Sequence, residues 1–148
     1  MQRLHVRMSH SHEEKKSVST SEVSAAATAL VAAFGTHNRA AYFDAFTPSA
    51  SFIFHNYEKV LESRSAYEKL WDEWVADGFK VLGCRSSNQQ ITMLGADVAV
   101  FTHTVRTDLA DGDGSITTGE RETIIFQKID GRWLGVHEHL SIDPTFLV

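Results

Sequence analysis

At 148 residues, 43% of them hydrophobic and 22% charged, the chain has the length and composition of one globular domain with a real core, not of a disordered segment. A net charge of −5, with no basic stripe, argues against nucleic acid or an anionic membrane as partner. The single cysteine, Cys84, excludes an internal disulfide framework. No apolar run approaches the roughly 20 residues of a membrane span, and the opening MQRLHVRMSHSHEEKK lacks the apolar core of a signal peptide, so the expected location is cytoplasmic.

Residues 1–20 read as a flexible polar tail. His5, His10 and His12 could make it a metal-binding segment, but a solvated terminus is the simpler reading. Residues 21–148 form one domain, since no linker or repeat divides them. A helix is expected from Ser19–Ser21, where Ser19 and Glu22 have capping-box spacing. Val23, Ala27, Leu30, Val31 and Phe34 mark its apolar face, and Gly35 offers a stop. A second, short helix then places Ala41, Tyr42 or Phe43, and Phe46 inward, ending at Thr47-Pro48. Ser51–His55 is a short β-run, followed by a turn at Asn56-Tyr57 and a possible strand over 58–61. Ser65 and Glu68 form another capping box. Tyr67, Leu70, Trp71, Trp74 and Val75 follow at amphipathic spacing, and Asp77-Gly78 closes that helix. Trp71 and Trp74 are either plain core or the lining of a ligand cavity.

From Phe79 the pattern changes to long strands, over 79–93, 97–109, 116–129 and 132–142, with Asp111-Gly112-Asp113-Gly114 as one hairpin loop. Helices first and an antiparallel meander afterwards indicate an α+β domain. Asp130-Gly131 predicts a two-residue type I′ turn. That turn sets Ile129 opposite Arg132, Phe126 opposite Gly135, Ile124 opposite His137 and Glu122 opposite His139. By alternation, Glu122, Trp133, His137, His139 and Ser141 then share one face, with Arg121 and Glu138 on the other. A bulge would swap the partners on one strand.

Several blocks together resemble the SnoaL-like branch of the nuclear-transport-factor-2-like superfamily. They are Ala50-Ser51-Phe52, Gly95-Ala96-Asp97-Val98-Ala99-Val100, Arg121-Glu122-Thr123, and Asp130-Gly131-Arg132-Trp133 leading to His137-Glu138-His139-Leu140-Ser141. The last block is also similar to the association domain of calcium/calmodulin-dependent protein kinase II. The resemblance implies a cone: three N-terminal helices packed on a strongly curved, mostly antiparallel sheet, with a pocket between them. It also implies a homodimer formed through the sheet. The superfamily spans isomerases, cyclases, dehydratases and non-catalytic assembly domains, so the site must choose among them.

Steroid-isomerase chemistry needs a carboxylate base on the short strand before the third helix. That strand here reads Phe52-Ile53-Phe54-His55 and has none; His55 could replace the base, since imidazole titrates near neutral pH. The alternative acid–base unit is Glu122 orienting His139, with His137 and Ser141 holding a polar ligand; a plain cross-strand pair is the structural reading of the same residues. Trp133, Trp71, Tyr42, His103 and Arg121 complete the candidate ligand-binding set. His137-x-His139 with His103 or Glu122 could also hold zinc, but the third ligand is not fixed by local spacing, and neither a metal nor a cofactor is expected. The expected function is binding of a small polar organic molecule, with proton transfer of the isomerase, cyclase or dehydratase type. A non-catalytic association domain is the alternative.

Overall fold

The structure is a computed structural model that describes residues 2–146, with side chains from Glu14 onward. The imidazoles of His5, His10 and His12 therefore lie outside the described residues. The element order is α1 (Gln2–Gly35), α2 (Arg39–Asp44), β1 (Phe46–Phe54), α3 (Arg64–Ala76), β2 (Val81–Met93), β3 (Val98–Asp111), β4 (Gly114–Ile129) and β5 (Arg132–Ile142). The five strands form one sheet in the order β1-β5-β4-β3-β2. All neighbours are antiparallel except β1 and β5, which run parallel. This is the expected α+β arrangement, three helices against a curled sheet.

Several boundaries differ from the sequence expectation. Helix α1 continues upstream through Ser19, so the Ser19–Glu22 pair does not start it. Its Val23, Ala27 and Leu30 stripe is buried as expected. The segment Glu14–Gly35 is long and apolar enough to cross a membrane by length and composition, which corrects the expectation that no run of the chain approaches that length. In this fold Val23, Ala27, Leu30 and Ala33 pack one face of that segment against the core. Asn38 caps α2 by accepting from the Ala41 N–H. Thr47-Pro48 lies inside β1 rather than at a helix end, because Phe46 is already paired to β5. Residues 58–61 contribute only one isolated bridge, Leu61 to Phe52. Ser63, not Ser65, is the N-cap of α3, its Oγ accepting from Ala66 N at 3.1 Å.

The core is an aromatic cluster between the helices and the inner sheet face. Trp71, Tyr42, Phe46, Phe52, Phe101 and Phe126 are its largest fully buried side chains. Trp71 meets Phe43 and Phe79 edge-to-face at 5.6 and 5.1 Å, the geometry that the ring quadrupoles favour. Trp71 is therefore core, not cavity wall.

The turn at Asp130 (φ 50°) and Gly131 (φ 81°) has the expected positive φ at both positions. The pairs Ile129–Arg132 and Phe126–Gly135 also form as expected. One residue further the register slips: Ile125 faces His137, Ile124 faces Glu138 and Glu122 faces Leu140. Val136 is the extra residue of a β-bulge. From the bulge onward every side chain of β5 changes face. His137, His139 and Ser141 join Arg121 on the outer face, and Glu138 turns inward beside Glu122.

Candidate functional site

The inward positions of β4 read Thr118, Glu120, Glu122, Ile124 and Phe126, from an open rim to a sealed core. Glu120 and Glu122 border a cavity of about 140 Å³ between the sheet and the helices. Its helix side is apolar and aromatic, with Leu30, Phe34 and Trp74, while Tyr42 and Tyr67 bring hydroxyls to its floor.

Glu122 and Glu138 both border that floor, and each carboxyl shifts the titration of the other. Burial raises the pKa of both. Glu138 is held well above the usual carboxylate range, with the charge of Glu122 adding to the effect of burial. Two adjacent carboxyls in an apolar site cannot both ionise, so Glu138 carries the proton and Glu122 the charge. Tyr42 donates to Glu138 Oε2 at 3.3 Å, and the Tyr42 and Tyr67 oxygens lie 3.0 Å apart. Burial pushes both phenols well above their ordinary pKa. They stay protonated and remain donors.

On the other side, His103 of β3 is paired directly with Glu122 and places Nε2 2.7 Å from Oε1. Its Nδ1 lies 2.6 Å from Ser86 Oγ, which itself accepts from Gln89 Nε2 at 2.8 Å. Gln89 occupies the amide-donor role, so the Ser86 hydroxyl hydrogen goes to Nδ1, and Nε2–H donates to Glu122. Burial lowers the His103 pKa to about 4, which keeps the ring neutral in this tautomer. The result is a continuous polar chain that runs inward from the exposed Gln89 through Ser86, His103, Glu122 and Glu138 to Tyr42 and Tyr67.

At the rim, His55 Nε2 lies 2.5 Å from Glu120 Oε2. Cys84 also borders the cavity, but burial pushes its pKa up to about 11, so its thiol is unreactive near neutrality.

Of the residues singled out from sequence, Glu122, His103, Tyr42 and His55 border the cavity. The expected Glu122–His139 unit does not form, because the bulge carries His139 to the exposed outer face. His137 is also outside, bonded through Nδ1 to Ser51 Oγ at 2.8 Å. Ser141 pairs with Arg121 on that same face. Trp133 is buried in the core and donates from Nε1 to Glu22 Oε2 at 2.8 Å, fastening β5 to α1. Among the described residues no cluster of three His, Cys, Asp or Glu side chains can hold a metal ion. Unbroken alternation along β5 would put Glu138 on the opposite face, and no local pattern marks Tyr67, Glu120 or Ser86 as site residues. The available signal was Gly135, an isolated glycine inside a strand pattern.

Residues 23–144 match the family model of the SnoaL-like domain. No protein of curated function matches the chain in sequence. Solved structures of similar shape include a protein from Xanthomonas campestris proposed to be a calcium/calmodulin-dependent protein kinase II association domain. It is 24% identical, with a TM-score of 0.72, over 84% of this chain and 88% of that one. An NTF2-like protein of unknown function from Rhodospirillum rubrum is 19% identical, with a TM-score of 0.70, over 82% and 98%. A ketosteroid isomerase-like protein from Erwinia carotovora atroseptica is 14% identical, with a TM-score of 0.69, over 82% and 94%. The match over residues 23–144 places the chain in the SnoaL-like family, and the structural likenesses agree on the fold.

Proposed function

We propose that this member of the SnoaL-like family binds a small organic molecule in the cavity and moves a proton on it, as in isomerisation, cyclisation or dehydration. The observation that carries this reading is the buried Glu122–Glu138 pair, charged and neutral side by side at the floor of an apolar cavity. Two titratable groups driven to different protonation states by one environment are the usual basis for assigning a base and an acid. Glu122 is the base: burial raises its pKa, which strengthens it as a proton acceptor, and His103 fixes its orientation. The tyrosine pair supplies the electrophile. Tyr67 is the outermost donor of the chain Tyr67 to Tyr42 to Glu138, and its hydrogen turns from Tyr42 to a ligand oxygen that gains charge as the proton leaves carbon. The lining is mainly apolar, which favours not the polar ligand expected from sequence but a mainly apolar molecule bearing a carbonyl. A cavity of this size accommodates about one six-membered ring.

Deuterium exchange at the α-carbon of simple cyclic ketones in D2O, followed by NMR, tests the reading. Acceleration by the protein that disappears in Glu122→Gln is the expected result. Ketones that bind without accelerated exchange would leave a binding protein and remove the catalytic half.

Pairing of two copies through the outer sheet face is the proposed quaternary arrangement, in the cytoplasm, without nucleic acid or membrane. Ile53, Val100 and Ile125 are only partly buried there, which supports a covered face. The same face would serve the association alternative, which the Xanthomonas protein's description favours. Light scattering separates a dimer from a larger ring.

A further inference from the structure

The polar chain at the cavity floor leaves one polar pair of the same cavity unused. His55, the residue that follows β1, and Glu120 of β4 stand at the rim, their side chains 28% and 14% exposed. Glu120 receives His55 through Oε2 and is approached by Thr118 Oγ1 at 3.5 Å through Oε1. Both of its oxygens are therefore engaged, and the imidazole is held by one nitrogen in a fixed orientation. Among the described residues nothing bonds the other nitrogen, Nδ1.

A hydrogen bond meant only to tie the end of β1 to β4 would gain little at a solvent-accessible rim. Here it borders the same cavity as the floor groups. Glu120 and Glu122 are two residues apart on one face of one strand, which separates the rim pair from the base by roughly 7 Å along the cavity wall. Between them the opposite wall is apolar, with Leu30, Phe34 and Trp74. The cavity thus has polar groups at two ends and an apolar middle.

Resting on the proton-transfer reading above, we propose that His55, oriented by Glu120, is the specificity-determining residue for the substrate's outer end. The substrate class is a compact apolar ring or chain with two oxygen functions at opposite ends. One is the carbonyl taken by the floor, and the other is a hydroxyl or similar group that hydrogen-bonds His55 Nδ1. His55 moves no proton on the reacting carbon; it sets which molecule enters and which end leads.

Two phenols of nearly equal shape test this. A phenol oxygen stands in for the enolate-like oxygen at the floor. 4-Ethylphenol offers a methyl group to the rim, and 4-(hydroxymethyl)phenol offers a hydroxyl in its place. Dissociation constants for both are measured by titration calorimetry on the full chain, on His55→Leu and on Glu120→Gln, with circular dichroism confirming the fold of each variant. The expected result is that 4-ethylphenol binds all three proteins alike. The affinity for 4-(hydroxymethyl)phenol relative to 4-ethylphenol should fall roughly three- to tenfold in His55→Leu, the effect of one hydrogen bond, and should also fall in Glu120→Gln. An unchanged ratio in both variants, with 4-ethylphenol still bound, overturns the role of His55 alone. Failure of the unaltered protein to bind either phenol overturns the cavity reading and this proposal with it. If His55→Leu does not fold, the Glu120→Gln ratio decides by the same criterion.

Discussion

Gly135 lies against the ring of Phe46 so closely that a Cβ on it would stand 2.6 Å from Phe46 Cδ1. Its N–H is also bonded to the Ala45 carbonyl at 2.8 Å, next to the bulge that turns Glu138 inward. A side chain at position 135 must push the buried Phe46 ring out of its packing. Gly135→Ala is expected to cost about 1–3 kcal/mol by overpacking, read by urea denaturation. Phe46→Leu in the same chain should recover part of that loss. The two changes therefore couple in a double-mutant cycle, and additive costs would show that the contact does not set the local geometry.

His103 gives the acid limb of the stability profile. Its folded pKa of about 4 lies below the ordinary 6.5, so the unfolded chain takes up the proton first as pH falls. Its contribution is complete above pH 6.5 and is lost as pH falls towards 4, by at most about 3 kcal/mol. In His103→Gln this loss is absent. Thermal midpoints of the two proteins should converge on acidification from pH 7 to 4.5, and curves that stay parallel would mean the ring is not buried neutral.

Glu138 acts in the opposite direction. Its folded pKa is raised, so its favourable contribution is present below the ordinary 4.5 and is lost as pH rises through the folded value. Glu138→Gln keeps the shape and removes the ionisation. The variant's stability relative to the unaltered protein should increase steadily from pH 5 upward. A pH-independent difference would indicate a solvated carboxylate rather than the proton-bearing partner of Glu122.

The two faces of β5 predict a contrast between neighbouring substitutions. His139→Ala alters an exposed outer residue and should change stability by less than about 0.5 kcal/mol, with 4-ethylphenol affinity unchanged. Glu122→Gln alters the buried group that both His103 and Glu138 contact and should abolish ketone exchange. Loss of exchange in His139→Ala would return the site to the register expected from an unbroken strand.

The elements themselves are local properties and were legible from the chain. Apolar spacing marks the buried stripe of α1 and the amphipathic α3, and Asp130-Gly131 fixes a turn in which both residues take positive φ because only such a turn follows the strand twist. The pairings nearest that turn follow from it, down to Phe126 and Gly135. The fold class follows from their order, helices before an antiparallel meander. The site does not, because side chains alternate with period two and one extra residue reverses every face beyond it. Whether β5 accommodates that residue depends on Phe46, 89 positions earlier in the chain, whose ring occupies the space a side chain at 135 would need. Local pattern reads His137 and His139 as the inward pair. Only the packing of Phe46 over Gly135 turns them out and sets Glu138 beside Glu122, His103 and the two tyrosines.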